Sequence, residues 1–110
     1  MAGLAEQRCE ECTPGTPTLS TDEIAELRAQ LHDGWTVVDG RKLHRDIRLP
    51  DFMSAVRLTG RIAVVAEEQG HHPDLLVSWG RLGIDLTTHA AKGLTRNDFI
   101  LAAKIDALAP

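Results

Sequence analysis

The stretch Glu67-Glu68-Gln69-Gly70-His71-His72-Pro73 marks the place where a helix stops and a pair of strands begins. Pro73 biases His72 away from the helical region, and Gly70, just ahead of the histidines, suits the left-handed conformation that closes a helix. The helix is therefore predicted to stop at Gly70, with His71 and His72 on an ordered turn. Adjacent side chains alternate on a regular strand, whereas on a turn both imidazoles can face one cavity.

Upstream, Phe52, Ala55, Val56, Thr59, Ile62, Ala63 and Ala66 recur at three and four residues, with Val64 and Val65 widening the stripe. This predicts a long helix that packs across a sheet and carries Glu67 in its last turn. Leu49-Pro50-Asp51 opens it, since proline is tolerated in a first turn and an acidic residue there suits the helix dipole. Downstream, Asp74 to Trp79 and Arg81 to Thr88 are predicted strands joined around Gly80. In the second, Leu82, Ile84 and Leu86 alternate with Gly83, Asp85 and Thr87, giving one core face.

The same grammar holds on either side. Ser20 with Glu23 forms a capping box before Ile24, Leu27 and Leu31, so a first helix is expected to run to about Gly34. Trp35 to Val38, the dipeptide Asp39-Gly40 and Arg41 to Leu49 predict a hairpin, because Asp-Gly tolerates the positive φ angles of a tight turn. Leu43, Arg45, Ile47 and Leu49 share one strand face. Lys42, His44, Asp46 and Arg48 share the other, which is expected to be wet, with His44 and also His32 as surface histidines. After the connector Lys92-Gly93-Leu94, Thr95 and Asp98 resemble a helix cap ahead of Phe99, Ala102, Ala103 and Asp106 on one flank and Leu101, Ile105 and Leu108 on another. The expected fold is α+β, helix-strand-strand-helix-strand-strand-helix, with one four-stranded antiparallel sheet covered by helices on one face.

The chain of 110 residues is expected to form one domain over residues 19–110, preceded by a flexible arm over residues 1–18 containing Thr13-Pro14-Gly15-Thr16-Pro17. A net charge of −4 argues against a nucleic-acid surface, which needs clustered Lys and Arg. No apolar run approaches the roughly 20 residues of a membrane span, and no basic, then apolar leader is present; a cytoplasmic location is expected. Cys9 and Cys12 lie in the arm without a second cysteine pair or a strand-helix redox pattern, and are read as incidental reduced thiols rather than a zinc or redox pair.

Three of the five histidines fall between positions 71 and 89. Histidine, with an unperturbed pKa of about 6.5, gives and accepts protons near neutrality. Taken alone, His71 and His72 could cap a helix and fill a turn, His89 could end a strand, and Trp79 could be a core aromatic or a cleft wall. Pro73 shapes the turn. Asp98 could serve Thr95 as a cap partner, the site, or both.

The spacing Glu67-x-x-x-His71-His72-Pro73, five residues to Trp79, nine to His89 and eight to Asp98 resembles the signature of the pterin-4a-carbinolamine dehydratases, some of which double as dimerisation cofactors of a homeodomain transcription factor. The resemblance runs from about Leu19 to Leu108 and includes Thr88-His89-Ala90-Ala91-Lys92-Gly93-Leu94-Thr95. It implies a hydro-lyase that converts 4a-hydroxytetrahydropterin to quinonoid dihydropterin and water and so supports tetrahydropterin recycling. Such chemistry needs an acid and a base but no cofactor and no metal. His71, His72 and His89 would surround the pterin, with His71 and His89 as acid and base and His72 orienting the ring. Glu67 would bond an imidazole or the pterin edge, and Asp98 would orient His89 or bind that edge. Three positions depart from the family pattern: Gly70 where Asp or Asn is frequent, Leu75 in place of an aromatic, and Asn97 in place of a basic residue, for which Arg96 could compensate.

Two other readings remain at this level. A non-catalytic dimerisation or partner-binding module would keep the fold, and three histidines with two carboxylates could supply metal ligands, although adjacent histidines reach one ion poorly. Open strand edges favour a homodimer through sheet continuation, or a homotetramer through helix contacts. An aromatic amino-acid hydroxylase is the implied metabolic partner.

Overall fold

A computed structural model describes residues 3–110 and has the expected order of elements. Helix α1 spans Thr21–Arg28, strands β1 and β2 span Thr36–Val38 and Lys42–Arg48, helix α2 spans Phe52–Gln69, strands β3 and β4 span Asp74–Ser78 and Arg81–Leu86, and helix α3 spans Arg96–Leu108. The four strands form one antiparallel sheet in the order β1-β2-β4-β3. Asp39 and Gly40 both take positive φ, 53° and 66°, which is the two-residue hairpin geometry that their identities favour.

Register puts Leu43 opposite Leu86, Arg45 opposite Ile84 and Ile47 opposite Leu82. These residues are buried, while Lys42, His44, Asp46 and Arg48 lie on the open face. The helices cover the other face, with α2 against β3, β4 and α3. Phe99, Leu101 and Ile105 of α3 complete the core with Trp35 and Ile62.

Two expectations are corrected. First, α1 stops at Arg28 rather than near Gly34. From Gln30 onward the bonds tighten to the residue three back, and the Arg28 guanidinium caps the carbonyls of Asp33 and Trp35 at 2.9 and 2.7 Å. This redirected backbone is what lets Leu31 and Trp35 both reach the core. Second, the buried stripe of α2 is Ala55, Leu58, Ile62 and Ala66. Phe52, Val56 and Ala63, assigned to that stripe, are exposed, because the helix carries apolar residues on two flanks and the sheet covers only one. The described residues ahead of α1 pack against the domain. Leu4 is buried, Lys104 Nζ donates to the Ala5 carbonyl at 2.7 Å, and Glu10 is hydrogen-bonded to Asn97. That segment holds too little periodic sequence to announce this docking, which depends on side chains of α3 instead.

Candidate active site

The C-terminus of α2 positions the first part of the site. Gly70 takes φ 63°, its N–H reaches back to Ala66 and Glu67, and the His71 N–H bonds the Ala66 carbonyl at 3.2 Å. This closure needs a left-handed residue, which glycine supplies without a Cβ penalty. It turns the chain so that His71 and His72 face a cleft of about 270 Å³, and Pro73 leads directly into β3.

The second part comes from the end of β4. Thr88 and Gly93 exchange backbone hydrogen bonds at 3.0 and 3.3 Å, closing a small loop that begins with His89. His89 and Ala90 line the same cleft as the paired histidines, together with Thr87 and Thr88.

Asp98 joins the two parts. It is completely buried at the start of α3, and His71 Nε2 lies 2.6 Å from its Oδ1. The other oxygen accepts from Thr88 Oγ1 at 2.8 Å and from the Thr95 N–H at 3.0 Å. Thr88 Oγ1 is in turn 2.8 Å from Thr95 Oγ1. A buried carboxylate is costly unless its oxygens are satisfied, and here the helix cap and the histidine together do so. Asp98 thus orients His71; the resemblance implied that it would orient His89 or bind the pterin edge. With Nε2 engaged, Nδ1 is the ring nitrogen of His71 left to serve the cleft.

The remaining residues are held more loosely. His72 Nε2 lies 3.4 Å from Glu67 Oε2, and both side chains are largely exposed, so this pair guides the rim more than it fixes it. Trp79 sits in the turn between β3 and β4 with 74% of its surface exposed. That turn is at the opposite end of β3 from the histidines, so Trp79 is neither core nor a wall of this cleft. Pro73 shapes the turn without lining the cavity.

Three cleft residues come from the segment ahead of α1: Glu10, Glu11 and Cys12, with Asn97 beneath them. No local pattern in that segment marks them, and Asn97 was noted only as a departure from a basic residue. Cys9 and Cys12 are free thiols, and burial pushes the Cys9 thiol up to about 11. Among the described residues no helix is long and apolar enough to cross a membrane.

Similarity to known proteins bears on the family and the fold. A family profile described as Pterin 4 alpha carbinolamine dehydratase matches residues 17–108. A protein of Alkaliphilus metalliredigens (strain QYMF), provisionally named pterin-4-alpha-carbinolamine dehydratase, is 45% identical over 106 residues, covering 96% of each chain. A protein of Gloeobacter violaceus with the same provisional name, numbered 1, is 46% identical over 109 residues, covering 96% of this chain and 93% of its own. The crystal structure of a protein of Brucella melitensis described as a transcriptional coactivator/pterin dehydratase superposes with a TM-score of 0.79 at 34% identity, over 84% of this chain and 99% of that one. With the fold shared and the profile spanning the sheet, the histidine turn and the Asp98 helix, the chain belongs to the pterin 4 alpha carbinolamine dehydratase family.

Proposed function

We propose that the chain dehydrates a 4a-hydroxytetrahydropterin to the quinonoid dihydropterin and water. The observation that carries this reading is the 2.6 Å pair of His71 with buried Asp98, set in one cleft with His72 and His89. In the reaction the C4a–O bond breaks, the departing hydroxyl takes a proton to leave as water, and a base removes the proton from the adjacent ring nitrogen. Asp98 holds the His71 ring with Nδ1 toward the cleft and stabilises the imidazolium when that nitrogen takes a proton. His89, which lines the same cleft, serves the other proton transfer. His72 and Glu67 steady the ring at the rim, and the chemistry draws on no cofactor. We take the enzyme to be cytoplasmic, supporting tetrahydropterin recycling beside an aromatic amino-acid hydroxylase, and to act as a homo-oligomer.

The test is the dehydration rate of 4a-hydroxytetrahydrobiopterin with wild-type protein and with His71→Ala and His89→Ala. The wild type is expected to accelerate the reaction, and each variant to lose about 100-fold in kcat while keeping its fold. Unchanged turnover in both variants sinks the acid-base assignment. The description of the Brucella melitensis protein as a coactivator supports a second reading, a partner-binding module of the same fold. A folded wild type without dehydratase turnover favours that module.

A further inference from the structure

We propose that the segment Cys9–Cys12 forms a substrate-binding wall of the cleft, latched by Asn97, and that the Glu10 and Glu11 carboxylates meet the hydrogen-bond donors on the edge of the bound pterin. This rests on the pterin reading above and extends it to residues outside the family profile, which begins at residue 17.

The latch is specific. Asn97 is only 6% exposed, and its side-chain amide faces the backbone of Glu10 as a strand partner would. Oδ1 accepts from the Glu10 N–H at 2.9 Å, and Nδ2 donates to the Glu10 carbonyl at 2.5 Å and to Cys12 Sγ at 3.2 Å. The Asn97 carbonyl accepts from Cys9 Sγ at 3.6 Å, and the Cys9 N–H donates to Gln69 Oε1 at 2.9 Å. Gln69 closes α2 and Asn97 opens α3, so the segment is tied to the two helix ends that carry His71 and Asp98. A basic side chain at position 97 could donate to Glu10 but could not accept its N–H. The asparagine is therefore fitted to this docking.

The cysteines also find a place in this arrangement. The half-buried Cys9 thiol, pushed up to about 11, stays protonated and serves as a donor rather than a nucleophile. Cys12 Sγ lies 3.9 Å from Thr95 Oγ1, which leads through Thr88 Oγ1 to Asp98 and on to His71. The segment is thus joined by hydrogen bonds to the carboxylate that orients the candidate base.

Glu10, Glu11 and Cys12 line the cleft together with His71, His72 and His89. A pterin carries an exocyclic amine and a ring N–H on its pyrimidine edge, both donors. Ionised carboxylates accept only, so Glu10 and Glu11 suit that edge, while the histidines serve the reacting carbon. Asn97 touches no reacting atom and is a positioning residue.

The experiment compares steady-state kinetics with 4a-hydroxytetrahydrobiopterin for wild type, the pair Glu10→Gln/Glu11→Gln, Asn97→Ala, and a chain lacking residues 2–12. KM is expected to rise about tenfold in each, with kcat within about twofold of wild type, the reverse of the split expected for His71→Ala. The truncation removes Leu4 from the core, so circular dichroism accompanies it. If that chain does not fold, the glutamine pair, which alters two exposed side chains, decides. Wild-type KM in the glutamine pair overturns the proposal, as does a lower KM in a folded truncation, which would make the segment a barrier to substrate. A wild type without turnover removes the pterin reading and this inference with it. An active wild type matched by all segment variants removes the inference alone.

Discussion

Asp98 does two jobs with one carboxylate, and they can be separated by the atom that each uses. Oδ2 closes the start of α3 through Thr95 and Thr88, while Oδ1 fixes His71. In Asp98→Asn the amide oxygen is expected to keep the two threonine donors, which turns Nδ2 toward His71 Nε2. That nitrogen must then accept, so the proton moves to Nδ1 and the ring presents a donor to the cleft in place of a base. The expected outcome is a kcat lower by about 100-fold with KM little changed and thermal stability largely retained; wild-type kcat in the folded variant would show that the tautomer of His71 is immaterial. The histidines themselves were legible in the sequence, because His-His-Pro after a glycine dictates a turn and the spacing to His89 and Asp98 is distinctive. Which histidine Asp98 holds was not legible: it depends on how the end of α2 crosses the start of α3. Glu10, Glu11 and Asn97 were hidden for the same reason, since they meet the site only through a hydrogen-bonded docking between residues 87 apart in the chain.

At the scale of elements, the end of α2 depends on one backbone conformation. Gly70 has φ 63°, and a Cβ built there would meet nothing within 4 Å, so Gly70→Ala introduces backbone strain without a clash. The expected loss is about 1–2 kcal/mol, measured by urea unfolding; a neutral effect would mean that the closure adapts to a right-handed residue. The open face of the sheet supplies a pH effect. His44 lies 2.6 Å from Asp85 and 3.2 Å from Asp46, with Lys42 and Arg81 paired to the same two carboxylates. The hydrogen bond to Asp85 raises the His44 pKa above its ordinary value. A raised folded-state pKa gives stability that is fully present below the unfolded value of about 6.5 and is lost as pH rises through the folded value. Wild type is therefore expected to lose more thermal stability between pH 6 and 8 than His44→Gln; parallel profiles would show that the pair is screened by solvent. Element order, the single antiparallel sheet and the wet face were legible from periodicity and turn residues, whereas the pairing of β2 with β4 was not. The buried flank of α2 was not, because Phe52, Val56 and Ala63 satisfy the helical period as well as Leu58 does, and only the position of the sheet decides between them.

At the scale of the whole molecule, the carboxylate of Asp106 ties the sheet to the helical layer. It pairs with Arg45 of β2, accepts from Trp35 Nε1 at 2.8 Å ahead of β1, and accepts from the His32 N–H at 3.0 Å beyond α1. Arg45 was legible as a residue on the apolar strand face, but its partner, 61 residues away, was not. The two members of the pair are unequally buried, with side chains 7% exposed for Arg45 and 18% for Asp106. Removing the carboxylate strands the more buried charge and leaves the donors of Trp35 and His32 without their acceptor. Removing the guanidinium leaves Asp106 with both of those donors and some access to water. Asp106→Ala is therefore expected to cost about 3–5 kcal/mol, a large share of the roughly 5–15 kcal/mol that holds a domain together. Arg45→Met, which keeps the apolar stem against the core, is expected to cost only about 1–2 kcal/mol. Chemical denaturation of both variants checks the order: equal losses would mean that the Arg45 charge is the main term, and that the bonds from Trp35 and His32 contribute little to joining the layers.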